Sequence, residues 1–151
     1  MKVLFLDVDE VLTSRRTIYA FMTVPRCGMK DAHKQLDTIS IQLIKNIEKK
    51  GVKIVLSSTW RIGHSVEEAS KALSIKLFDK TGRCPTGFRG NEIQEWLNKH
   101  PEVTHYVILD DSDDFLPEQK RFHVKVNYRN GVLAHHYEKI CRLLKINIWD
   151  D

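Results

Sequence analysis

KVLFLDVDEVLT, residues 2–13, opens as a nearly continuous apolar run and breaks into acids at Asp7 and Asp9. A run without polar alternation is what a strand buried on both faces of a parallel sheet requires, and the acids mark where it ends. Two further runs repeat this pattern: KIVL at residues 53–56, followed by Ser57 and Ser58, and YVIL at residues 106–109, followed by Asp110 and Asp111. FHVKV at residues 122–126 alternates instead, which predicts a strand nearer the sheet edge. Between the runs lie patterns of helical period: Ile41, Ile44 and Ile47, with Ser40 as candidate cap and Gly51 beyond; residues 66–73; Ile93, Trp96 and Leu97; and Tyr137, Ile140, Leu143 and Leu144. Strands alternating with helices predict an α/β, three-layer, Rossmann-like fold: a mainly parallel sheet with helices on both faces. Ligands of such sheets bind at the carboxyl ends of the strands, where all three runs place their acids and hydroxyls.

The rest of the chain limits the alternatives. At 151 residues, 42% hydrophobic and 29% charged, residues 1–151 fit a single domain with a real core. No apolar run approaches the roughly 20 residues that cross a bilayer, and the first is too short and too soon acidic for a signal peptide, so no membrane partner is expected. Cys27, Cys84 and Cys141 are odd in number, widely spaced and free of any CxxC pair, which predicts reduced thiols and a cytoplasmic setting. The net charge is +4 although acids gather at Asp7, Asp9, Glu10 and residues 110–114. The remaining surface is therefore basic, which suits a polyanionic partner and equally suits a merely solvated exterior. Residues 13–36 and 80–90 are the least regular and are expected as loops near the site. Nothing in the pattern specifies an oligomeric state.

Asp7 and Asp9 would face opposite ways in an extended chain, so both serve one site only if the backbone turns as the strand ends. That turn suits a division of labour, with one carboxylate holding a cation and attacking an electrophile and the other working as acid and base. Asp110 and Asp111 converge from a second strand end, and carboxylates so gathered repel unless a hard divalent cation lies among them; magnesium fits best. Ser57 and then Ser58 offer hydroxyls to an anionic oxygen, the alternative being that the pair caps the following helix. Together these parts describe phosphoryl transfer, with one cationic side chain still to be found.

At these positions the sequence resembles the haloacid dehalogenase (HAD) superfamily: DVDEVLT at residues 7–13 is similar to its first motif (DxDx[TV]), LSSTWR at 56–61 to its second and LDDSDD at 109–114 to its fourth. The wording LSSTWR, then RGNEIQEWL at 89–97 and VILDDSDDFLPEQ at 107–119, resembles the small HAD domains of RNA-repair proteins, distantly related to the phosphatase domain of polynucleotide kinase-phosphatase. The resemblance implies that Asp7 attacks phosphorus and becomes an aspartyl phosphate, and that Asp9 protonates the leaving oxygen and then activates water. It also implies that Ser57 holds a phosphoryl oxygen, and that Asp110 and Asp111 complete a magnesium site with Asp7 and the main-chain carbonyl of Asp9. For the third-motif cation Arg89 stands first, just before a helix, and Lys80 second. Asp114 reads as an acid starting a helix or as one supporting the site from behind. Arg61 reads as a substrate contact or as the partner of an acid, and Trp60 and Trp96 read as core. The family usually has Gly where this chain has Glu10, so Glu10 must adopt a conformation that glycine finds easy or else alter the site.

Family members acting on small metabolites usually insert a cap domain between the first and second motifs or between the second and third. Here those intervals have room only for loops and crossover helices, so no large cap domain is expected and the site would be open to a large substrate. Arg15, Arg16, Arg26, Lys30 and Lys34 fall in the first interval, where they would meet a polyanion backbone or simply solubilise a loop. The expected partner is a phosphorylated substrate such as a nucleic-acid or nucleotide end. The alternatives are a phosphatase of small phosphate esters and a catalytically silent binding module. His123, His135 and His136 lack a second ligand set with metal spacing and are assigned no role.

Overall fold

The computed structural model describes residues 1–22 and 35–149. Its centre is a five-stranded sheet of β1 (Lys2–Leu6), β2 (Lys53–Leu56), β3 (Leu77–Lys80), β4 (His105–Asp110) and β5 (His123–Lys125) in the order β3-β2-β1-β4-β5. Every pairing is parallel. The three apolar runs are thus the three central strands, and the alternating run ends up at an edge.

Alternation along β1 divides the core. Leu4 and Leu6 face a cluster with α2 (Thr38–Lys49), α4 (Val66–Leu73) and α6 (Ala134–Leu144), while Val3 and Phe5 face Ile93 and Trp96 of α5 (Arg89–Asn98). All four β1 side chains are fully buried, so each contributes on the order of 1.5–3 kcal/mol of apolar transfer free energy. Trp96 meets Phe5 edge to face at 5.3 Å, and its indole N–H is satisfied by Asp79, so this tryptophan is core.

Three expectations need correction. The 13–36 stretch is not all loop, because α1 (Arg15–Met22) lies within it; a short helix carrying two leading arginines shows little of the apolar period on which the reading relied. The cap of α2 is Asp37, whose carboxylate accepts from the amides of Ile39 and Ser40, while Ser40 is buried and its hydroxyl accepts from the amide of Val132. The edge strand β3 was not foreseen, since LFDK is too short and too polar to stand out. Cys84 and Cys141 are buried free thiols. Cys27, Arg26, Lys30 and Lys34 lie outside the described residues. Among the described residues no helix is long and apolar enough to cross a membrane.

Candidate active site

The register of the sheet builds the site. Leu6 pairs with Leu56 on one side and Leu109 on the other, so the next residues, Asp7, Ser57 and Asp110, emerge side by side. The amide of Asp7 donates to Leu109 O at 3.0 Å, and that of Ser57 donates to Leu6 O at 2.9 Å, which fixes their order across the sheet. The chain leaves β1 towards β2 and β3 on one side and returns to β4 on the other, so Asp7 stands at the topological switch point.

Immediately after Asp7 the backbone turns. Glu10 takes φ 64°, the left-handed conformation a glycine would adopt freely, and its amide donates to the Thr13 hydroxyl at 3.0 Å. The departure from Gly is therefore absorbed locally, as a strained residue in an intact turn. That turn carries Asp9 away from Asp7 to the exposed rim, where Trp60 Nε1 donates to its Oδ1 at 3.1 Å and the Thr59 hydroxyl donates to its Oδ2 at 3.4 Å. Trp60 packs against the core but also holds Asp9, a role that the reading of Trp60 as core alone had missed.

Asp7, Asp110 and Asp111 each offer a carboxylate oxygen within 4.8 Å of the others. Asp7 and Asp110 are buried, and burial, followed by the charge of Asp110, pushes the Asp7 carboxyl up to about 8, although Arg89 and the Val8 amide pull it down. Burial and then Asp110 also raise Asp111. Such a trio of hard oxygen donors suits Mg²⁺, which would relieve their repulsion. The Asp9 carboxylate is not among them.

Of the two candidate cations, the structure brings Arg89 to the site. Its Nη1 lies 3.5 Å from Asp7 Oδ1 and 3.6 Å from Asp110 Oδ2. Lys80 instead donates to the carbonyls of Arg61 and His64 at the end of the short helix α3 (Trp60–Gly63). Arg61 is buried against Glu92 at 2.5 Å and also donates to Ser58 O, so it pairs with an acid. The two serines differ as well: the Ser58 hydroxyl accepts from the Trp60 amide at 3.3 Å, where α3 begins after its cap residue Thr59, and the Ser57 hydroxyl has no hydrogen-bond partner among the described residues.

Arg89 is placed by a network behind the acids. The Ser112 hydroxyl stands 2.7 Å from both Asp110 Oδ1 and Asp114 Oδ1 and donates its one proton to either, and Asp114 Oδ2 accepts from the Arg89 amide at 3.2 Å. Asp114 therefore caps the neighbouring helix α5 and not one of its own. Gly90 permits this approach, since a Cβ there would stand 2.7 Å from the Leu116 amide nitrogen. Ser112 went unremarked in the sequence, although its alternation with Asp110 and Asp114 was visible.

Three buried polar atoms here have no hydrogen-bond partner among the described residues: Ser57 Oγ, Arg89 Nη1 and Asp110 Oδ2. Arg89 Nη1 and Asp110 Oδ2 stand 3.6 Å apart, an ion-pair contact too long for a hydrogen bond, and the Ser57 hydroxyl bonds to neither. Buried groups of this kind are costly unless a ligand satisfies them.

No curated relative matches the chain. In structure it is similar to a haloacid dehalogenase-like family hydrolase from Streptococcus pneumoniae, with 14% identity, 91% of this chain and 90% of that one covered, and a TM-score of 0.48. The sequence profile described as the HAD domain in Swiss Army Knife RNA repair proteins matches residues 3–136, most of the chain and all of the strand ends that build the site. With that match over residues 3–136, the chain belongs to this family of HAD domains.

Proposed function

We propose that the protein is a magnesium-dependent phosphatase that acts through an aspartyl phosphate on Asp7, with a nucleic-acid or nucleotide terminal phosphate as substrate. The observation that carries this reading is the set of three buried polar atoms around Asp7 that make no hydrogen bond among the described residues: Ser57 Oγ, Arg89 Nη1 and Asp110 Oδ2. Two donors and one anionic acceptor are what a phosphoryl group and a cation together would satisfy. The polynucleotide preference draws on the short intervals between motifs, which hold α1 and α2 and then α3 to β3, and on the RNA-repair setting that the family's description names.

In the first step an oxygen of Asp7 attacks phosphorus as the bond to the leaving oxygen breaks, and that oxygen takes a proton from Asp9. Water then attacks the aspartyl phosphate while Asp9 accepts its proton, releasing inorganic phosphate and restoring Asp7. Ser57 and Arg89 hold the equatorial oxygens, and Arg89 neutralises charge as it builds. Asp7, Asp110 and Asp111 would hold Mg²⁺, which supplies the positive charge that keeps Asp7 ionised and polarises the phosphoryl group. Asp9, at the rim, lies where a leaving group departs towards solvent.

Hydrolysis of an aryl phosphate with and without magnesium tests the reading. Activity that requires magnesium and disappears in Asp7→Asn is expected; no activity in the unaltered chain, or undiminished activity in Asp7→Asn, overturns it.

A further inference from the structure

Beside the acidic trio, a cavity is lined by Asp111, Lys125, Asn127, Tyr128 and Asn130, among others. Tyr128 and Asn130 also line a second cavity of about 650 Å³, whose other walls are Arg15, Arg16, Tyr19 and Arg129. The two adjoin at Tyr128 and Asn130, so the residues beside the site are neighbours of three guanidinium groups and two phenol rings, and among the described residues no carboxylate lines the far cavity.

This far end is built by specific contacts. The Arg15 amide donates to Tyr128 O at 2.9 Å and the Arg16 amide to Arg129 O at 3.0 Å, pinning the start of α1 to the loop after β5. Thr13, two residues before Arg15, is bridged to Asp9, so the same turn that positions Asp9 also positions this wall. Arg16 pairs with Asp37 at 2.5 Å, whereas Arg15 and Arg129 make no ion pair among the described residues. Arg129 lies over the Tyr128 ring, 5.7 Å from its centroid, and its Nε donates to the phenol oxygen at 3.1 Å. Tyr19 and Tyr128 are 62% and 40% exposed, so ring surface is open to a planar partner.

We propose that this surface is the path of a single-stranded nucleic acid leading away from a terminal phosphate at Asp7, with a base stacked on Tyr128 and internucleotide phosphates against Arg15 and Arg129. Planar rings interleaved with guanidinium groups match the two repeating parts of a single strand, the base face and the phosphate. A duplex hides its base faces within the stack, whereas a single strand presents them to the rings. The inference rests on the phosphatase reading above, which seats the terminal phosphate.

The test is a fluorescence-anisotropy titration of the whole chain, in the Asp7→Asn background, with single-stranded RNA and DNA decamers phosphorylated at the 3′ or the 5′ end. Tyr128→Ala is expected to weaken binding at least about fivefold, and Tyr128→Phe, which keeps the stacking face, to restore it. The Arg15→Ala/Arg129→Ala double variant is expected to lower the slope of log affinity against log salt by about 1.4, at about 0.7 per phosphate contact on a single strand. Melting temperatures equal to the parent's establish that the variants are folded. No binding of any decamer at low salt, variant titrations that superimpose on the parent's, or a phosphoserine peptide bound as tightly as the decamers would each overturn the proposal. Hydrolysis of para-nitrophenyl phosphate by the unaltered chain tests the phosphatase reading separately, because that compound is too small to span the path.

Discussion

Trp60 Nε1 donates a hydrogen bond to Asp9 Oδ1 at 3.1 Å, linking the helix after β2 to the acid after β1. An indole N–H can only donate, so it fixes the direction of the Asp9 carboxylate through Oδ1, while the Thr59 hydroxyl donates to Oδ2 at 3.4 Å. Replacing Trp60 with Phe keeps the packing and removes the donor. Turnover of alkyl phosphates, whose leaving oxygen needs a proton from Asp9, should fall about tenfold, in line with ~1.5 kcal/mol for a hydrogen bond to a charged group. Aryl phosphates, with better leaving groups, should suffer less; steady-state kcat on both substrate classes checks this.

Arg89 reaches both Asp7 and Asp110, whereas Lys80 serves the end of α3. Arg89→Ala should lower kcat by about 10²–10³, the cost of removing one donor from a preorganised anion site. Lys80→Ala should lower it by less than about tenfold. Equal losses in the two variants would remove the distinction drawn here between the cations.

Burial and Asp110 hold the Asp7 carboxyl near 8 in the ion-free protein, well above its ordinary value of 3.8. Between those two values the folded state binds more protons than the unfolded chain, so stability falls as pH rises from about 4 to about 8 and levels off above. In a chelator the melting temperature should drop over this range by at least about 2–4 °C, corresponding to ~1 kcal/mol for a chain of this size. Magnesium should reverse the loss, and Asp7→Asn should flatten the profile. Calorimetry at pH 5 and pH 8.5, with and without the ion, is the measurement.

Glu10 stands at φ 64°, where a side chain costs about 1–2 kcal/mol, and glycine gives back roughly 0.5–1 kcal/mol of that through its freer unfolded state. Glu10→Gly should therefore stabilise the fold by about 0.5–1 kcal/mol, read as a higher denaturant midpoint with an unchanged slope.

The sequence by itself determined the central strands and the residues that follow them. Runs such as KVLFL can be buried on both faces and little else, and parallel pairing then brings Asp7, Ser57 and Asp110 to one edge in register. What lies a turn beyond a strand end was decided only by tertiary structure. Arg89 stood ahead of Lys80 only by its place before a helix; Gly90 and Asp114, by docking the start of α5 beside the acids, decided it. Ser57 stood before Ser58 only because it comes first past the apolar run, until the Trp60 amide took the Ser58 hydroxyl and left that of Ser57 without a hydrogen bond. Trp60 read as core because its apolar bulk is visible in a sequence and the direction of its N–H is not. Burial on both faces is a property of a single segment, so composition records it; the aim of a side chain depends on which distant segment packs against it, and neither spacing nor residue type encodes that.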